Sequence, residues 1–233
     1  MLDVRSLDAW YGQAQVLYGV SLAVGAGECV ALVGRNGAGK STTMKAIMGL
    51  MARRRGRVAF RGRDISALPS YRIGRLGLGW VPEDRRIFTD LTVRENLSVG
   101  RQPPREGAPH WTEAQLFALF PNLATMTDRP GGRMSGGEQQ MLTIARTLMG
   151  NPHLILLDEP SEGVAPVIVE QMAQMIVKLK REGLSILLSE QNLHFARLVA
   201  DRAVVLEKGQ VRYADSMQAL MADESVQRTY LSV

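Results

Sequence analysis

Residues Gly34 to Ser41 read GRNGAGKS, and the chemistry of that string is phosphate binding. Gly34, Gly37 and Gly39 permit the positive φ angles and close backbone approach that let a loop turn its N–H groups onto phosphate oxygens. Lys40 supplies a point charge for the β- and γ-phosphates. Ser41 offers a hydroxyl to Mg²⁺ at the start of a helix whose dipole also favours an anion. Arg35, Asn36 and Ala38 within the loop, and Thr42 just after it, complete the candidate nucleotide contacts. A glycine-rich turn between a strand and a helix also occurs without nucleotide, but the lysine and serine at this spacing select the nucleotide-binding reading.

A second string, HLILLDEP from His153 to Pro160, is an apolar strand ending in two carboxylates. Buried beside the strand that feeds the phosphate loop, it is expected to aim Asp158 at the Mg²⁺ shell. Glu159 then sits by the γ-phosphate as general base for the attacking water. The plainer reading is a pair of solvated acids at a strand end. A third string, MSGGEQQ from Met134 to Gln140, places Ser135, Gly136 and Gly137 at a helix start, where small residues and free N–H groups suit an anion. Ser135 and Glu138 also have the spacing of a capping box. The two readings are compatible.

These groups need a scaffold of alternating strands and helices. Glu28–Val33 reads as a buried strand, and Met44, Ile47, Met48 and Met51 give the following helix an apolar stripe. Leu2–Leu7 and Val16–Val24 alternate as antiparallel strands do, with Tyr11 and Gly12 at their turn. Further strands are expected at Arg57–Arg61, Leu78–Val81 and Leu184–Ser189. Between about residues 84 and 133, helical patches at Val93–Val99 and Glu113–Phe120 are broken by five prolines. No apolar run approaches the roughly 20 residues of a bilayer span and no leader pattern opens the chain, so a protein that is soluble when isolated is expected. The single cysteine, Cys29, excludes an internal disulfide and reads as a small core residue. A formal net charge of +5 is mild and dispersed apart from Arg53–Arg57, which reads as solvated surface with no nucleic-acid partner.

In this order GRNGAGKS, MSGGEQQ and HLILLDEP resemble the Walker A, signature and Walker B motifs of the ATP-binding cassette (ABC) ATPases, along essentially the whole chain. The resemblance implies an α/β P-loop NTPase, residues 1–233 forming one ATP-binding domain. Its mostly parallel core sheet would carry an antiparallel β subdomain and, at about 84–133, an α-helical subdomain. It implies that Ser135, Gly136, Gly137 and Glu138 address the γ-phosphate held by a second subunit, so that two chains sandwich two ATP molecules. It also implies that an aromatic near Tyr11 stacks on adenine. Trp10 fits that role as well, and either ring can equally be core.

Three positions depart from the commonest family pattern. Glu83 stands where most cassettes have a glutamine that reaches metal and water; it can contact Mg²⁺ through water, but its charge repels the γ-phosphate unless neutralised. Gln191 stands in place of a histidine that contacts the γ-phosphate, and a glutamine cannot carry a proton. His194 nearby reads as a surface helix residue. Ala165, in SEGVAP, replaces a loop aspartate. Segments such as WVPEDRRIFTDLTVRENL and LLSEQNLHFARLVADRAVVLEKGQV resemble the F-type ATPases of branched-chain amino-acid uptake systems, in which Glu83 and Gln191 are ordinary, and also those of urea and short-amide importers. That resemblance implies ATP and Mg²⁺ as ligands and a second ATPase subunit, sister or identical, as partner. It further implies two membrane permeases, a periplasmic solute-binding protein acting through them, and a place at the cytoplasmic face of the inner membrane. A soluble ABC ATPase acting on DNA or ribosomes would carry a coiled-coil insertion or a second cassette, and neither is present in this sequence. A non-hydrolytic regulatory subunit, the other rival, would not depend on Glu159.

Overall fold

The alternation that opens the chain folds back on itself as β1 (Leu2–Tyr11) and β2 (Ala14–Val24), antiparallel, with Tyr11 the last residue of its strand. Residues 1–231 are described in this computed structural model. β3 (Cys29–Val33), buried at every position, delivers the chain into the glycine-rich loop, and α1 (Lys40–Ile47) leaves it. β4 (Arg53–Phe60) and β5 (Arg63–Asp64) complete a four-stranded antiparallel sheet of order β2-β1-β4-β5. β4 starts before the expected Arg57, because Arg53 and Arg54 continue the pairing along β1 opposite Trp10 and Ala9. It also stops one residue short of Arg61, whose φ is 51°. A run of arginines hides the period of a strand whose outer face is solvated.

α2 (Ser70–Arg75) leads to β6 (Leu78–Val81), which has the expected bounds. There follow α3 (Val93–Gly100) and α4 (Glu113–Leu119), each started by a threonine capping box, then the short α5 (Pro121–Ala124). α6 (Gly136–Leu148), β7 (Leu154–Asp158), α7 (Pro166–Arg181), β8 (Ser185–Glu190) and α8 (Leu193–Val199) continue the alternation. β9 (Arg202–Glu207), β10 (Gln210–Ser216), α9 (Met217–Ala222) and α10 (Glu224–Val226) follow.

The second sheet has the order β10-β9-β3-β8-β7-β6, parallel except for the edge strand β10. Its central strands β3, β7 and β8 are buried at every position and mostly apolar, as a sheet covered on both faces requires. Alternate residues nonetheless serve different layers. Ile155, Leu157, Ile186 and Leu188 join the core formed with α6, α7 and the helices of residues 93–124. Leu154, Leu156, Leu187, Val30 and Leu32 join the core under α1 and the antiparallel sheet. The sheet is therefore clamped between two layers, and the ends of its strands are held at fixed depth.

One expectation is corrected. β7, which carries Asp158, is not beside β3; β8 lies between them. The carboxylate still reaches the phosphate loop, because α1 packs across both β7 and β8 and brings Ser41 over the intervening strand. Cys29 is wholly buried in the core, where desolvation pushes its thiol up to about 12, so it is inert as a nucleophile.

Candidate functional site

The glycines of the loop are demanded by local geometry. A Cβ on Gly34 would overlap the carbonyl oxygen of Leu206 on β9, and Gly39 has φ 106° with a Cβ position 2.9 Å from the Leu17 side chain. The loop folds over Lys40, which is 4% exposed. The Lys40 ammonium donates to the carbonyls of Gly34 (2.7 Å) and Arg35 (3.1 Å) and pairs with Glu159 Oε1 at 3.0 Å. The neighbouring Ser41 hydroxyl donates to Asp158 Oδ1 at 2.9 Å. Two consecutive loop residues thus meet the two consecutive carboxylates at the end of β7. Glu159 has φ 47°, a left-handed backbone that costs a non-glycine residue about 1 kcal/mol. The turn folds its carboxylate back toward Lys40.

Tyr11, Asn36, Gly37, Gly39, Lys40, Ser41, Thr42, Glu83 and Glu159 line one open cavity of about 440 Å³. The two aromatics are placed differently. Tyr11 is half exposed in this cavity, whereas the Trp10 ring lies under the guanidiniums of Arg53 (4.7 Å) and Arg55 (5.8 Å). Arg35 and Ala38 lie in the same loop but line a smaller cavity with Leu206, Glu207 and Tyr230. Glu83 also lines an adjoining cavity with Lys45, Asp84, Arg86 and Asp158, so its charge is set among cations as well as acids.

Two expected participants stand apart. Gln191 is exposed and does not line the cavity; its backbone N–H, not its side chain, reaches the site, donating to Glu159 Oε2 at 3.2 Å. Ser135, Gly136, Gly137 and Glu138 are also outside the cavity. Ser135 caps α6, its N–H donating to Glu138 Oε2 at 2.7 Å and its hydroxyl accepting from the Glu138 N–H at 3.4 Å. The Arg85 guanidinium lies against Gly136, within 2.8 Å of where a Cβ would be. His194 is exposed on α8, as expected. Sequence reasoning missed Val16 and Glu162, which line the cavity, and the buried Glu190. The last left one signal, an acid closing a strand whose centre, Ile186–Leu188, is apolar.

Asp158 is 1% exposed. Burial pushes its carboxyl above the usual range, and the Ser41 hydrogen bond pulls it back. A buried acid beside a hydroxyl is a hard-oxygen pair that suits Mg²⁺, which takes one or two protein oxygens and completes its shell with water and phosphate. No cluster of three or more His, Cys, Asp or Glu able to hold a metal occurs among the described residues.

Glu190 titrates in the folded chain at about 7, raised mainly by burial. Between its ordinary value and 7 the folded state holds a proton that the unfolded state has lost, so this group's stabilising contribution is present at low pH and disappears as pH rises through 7. The linkage amounts to an upper bound of about 3 kcal/mol. Urea midpoints at pH 5 and pH 8 are expected to fall more steeply with rising pH in the native chain than in Glu190→Gln.

Comparisons place this geometry. A family profile described as ABC transporter matches residues 17–162. The chain is 42% identical over 231 residues to the high-affinity branched-chain amino acid transport ATP-binding protein BraG of Pseudomonas aeruginosa, covering 99% of each. It is 35% identical over 233 residues to the lipopolysaccharide export system ATP-binding protein LptB of Haemophilus influenzae, covering 99% of this chain and 97% of the other. Its fold superposes with a TM-score of 0.81 and 27% identity on the ADP conformation of an ATP-binding cassette of an ABC transporter, covering 98% and 97% of the two chains. A phosphate loop closed onto two strand-end carboxylates, within a fold and sequence shared along their whole length with these proteins, makes this chain a member of the ABC transporter family, an ATPase whose hydrolysis is coupled to transport.

Proposed function

We propose that the chain is the ATP-hydrolysing subunit of an importer for branched-chain or other hydrophobic amino acids, working at the cytoplasmic face of the membrane. The catalytic part rests on one observation, the meeting of Lys40 and Ser41 with Glu159 and Asp158. In this reading the loop N–H groups and Lys40 hold the β- and γ-phosphates, and Tyr11 stacks on adenine. Ser41, Asp158 and Glu83 would hold Mg²⁺. The metal, when bound, neutralises phosphate charge. Glu159 accepts the proton of the attacking water, and Gln191 steadies Glu159 through its backbone. Tyr11→Ala is expected to weaken ATP binding by about 1–3 kcal/mol, the worth of one stacked base, with little change in turnover at saturating ATP. Equilibrium titration with a fluorescent ATP analogue reads it.

The signature residues Ser135–Glu138 complete the site of a second ATPase subunit, sister or identical, so the chain works as half of a dimer. Residues 1–233 act as one domain whose helical subdomain spans about 84–133. The cavity beside Glu83, lined by Lys45, Pro82 and Arg86, adjoins the surface on which a cytoplasmic helix of each of two permease subunits docks. Exposed Phe88, stacked under Arg146 at 5.1 Å, offers an apolar anchor nearby. Among the described residues no helix is long and apolar enough to cross a membrane; in this reading the chain attaches through the permeases. A periplasmic solute-binding protein presents the cargo on the other side.

The cargo rests on the 42% identity to BraG. The 35% identity to LptB favours a second reading, export of lipopolysaccharide. The two are separated by reconstituting the chain with its permeases in vesicles and measuring ATP turnover. Stimulation by leucine, isoleucine or valine with the binding protein is the expected result; stimulation by lipopolysaccharide alone overturns the import reading.

A further inference from the structure

β7 and β8 run parallel and in register up to Asp158 and Ser189. Beyond that point β7 ends, while β8 runs one residue further, its Glu190 paired with Val33 of β3; the two acids one step on are both buried, Glu159 6% exposed and Glu190 0%. Their carboxylates are crossed. Glu159 Oε2 accepts the N–H of Gln191 at 3.2 Å, from the loop after β8. Glu190 Oε1 accepts the N–H of Ser161 at 3.1 Å, from the loop after β7, while its Oε2 accepts the N–H of Asn192 at 3.2 Å. Each loop is therefore held by the acid of the other, and Glu190 grips both. The Glu159 N–H, donating to the Ser189 carbonyl at 3.0 Å, closes the same junction.

A buried carboxylate with two donors aimed at its two oxygens is not an accident of packing, since an apolar residue here would leave both N–H groups unsatisfied. Glu190 itself does not line the nucleotide cavity. The loops it joins lead in different directions. Ser161 opens the segment to α7, which packs by Val164 and Ile168 against signature Gly137. Asn192 caps α8 by accepting the Phe195 N–H.

We propose that Glu190 is a positioning residue for ATP hydrolysis, which ties the loop of Glu159 to the loop of Gln191 so that the general base is held in register and its movement reaches both loops together. The proposal rests on the reading of Glu159 as the base. When phosphate draws Lys40 away from Glu159, the acid that swings also carries the Gln191 N–H, and the Glu190 clasp sets how far the two loops separate. The charged groups facing this junction are Glu159 itself and, behind it, Lys40.

The experiment uses the full chain, alone and assembled with its permeases. Glu190→Gln keeps the shape but presents an NH₂ to one of two N–H donors. Turnover is expected to fall at least tenfold, with affinity for a fluorescent non-hydrolysable ATP analogue within twofold, stability at pH 8 undiminished, and amide exchange at Ser161 or Asn192 accelerated. Glu190→Asp, with both oxygens but a shorter reach, is expected to recover part of the turnover, and it carries the comparison if the glutamine variant does not fold. Full turnover in Glu190→Gln overturns the proposal. A parallel fall in turnover, affinity and stability overturns it too, since that is the mark of a purely structural group. Glu159→Gln in the same assay separates the two ideas. If that variant keeps turning over, the general-base reading fails and the amide exchange alone decides the clasp, native exchange at both amides in Glu190→Gln refuting it.

Discussion

Glu159→Gln is expected to lose 10²–10³-fold in steady-state ATP turnover, within the range that a general base contributes, while binding ATP at least as tightly as the native chain. The first half follows from proton transfer: an amide retains the shape and can still accept the Gln191 N–H, but it cannot take a proton from water. The second half follows from the 3.0 Å pair between Glu159 and Lys40. ATP and Glu159 compete for one buried ammonium, and the neutral amide competes less well than the carboxylate. Binding without hydrolysis should then hold two chains closed around nucleotide, because the charge-assisted contacts to the γ-phosphate that favour closure are not removed. Turnover in the assembled complex and the dimer fraction with ATP by light scattering are the two readouts. Brisk turnover by the mutant would refute the base role, and weaker ATP binding would refute the competition for Lys40.

What the sequence made legible follows the range over which each signal acts. The phosphate loop is local: the same string fixes the backbone turn, the lysine and the hydroxyl, and Asn36, Gly37 and Gly39 to Thr42 line one cavity. The all-apolar runs revealed Leu78–Val81 to the residue and the others to within a residue or two. Strand order was not legible, because adjacency in a parallel sheet is decided by crossovers through distant segments. Asp158 meets the loop at Ser41, but across the intervening β8 rather than from the adjacent strand that its sequence suggests. Gln191 illustrates a second limit. Its type suggested a side chain facing phosphate, whereas a turn after β8 presents its N–H instead, and backbone donors carry no residue signature. Glu190 illustrates a third, since its partners are two N–H groups that any residue except proline would supply.

Lys40→Ala is expected to reduce ATP affinity by at least about 10²-fold, and the same change must also weaken the fold. Among the described residues this ammonium is the only cation paired with Glu159, and both side chains are about 95% buried. Removing one partner of such a pair leaves the other charge without compensation, at a cost of about 3–5 kcal/mol. A lost affinity could therefore be blamed on a disturbed loop, and the single variant does not decide the matter. Adding Glu159→Gln removes the stranded charge and is expected to recover most of the lost stability, as the urea midpoint reports, since an amide can remain buried at smaller cost. It cannot restore affinity, because the phosphate contact is made by the ammonium and not by the acid. The double variant should thus be stable yet poor at binding ATP, while Glu159→Gln alone binds well. If affinity returned along with stability, Lys40 would be a strut of the loop rather than a ligand of the phosphate, and the reading of GRNGAGKS would reduce to its glycines.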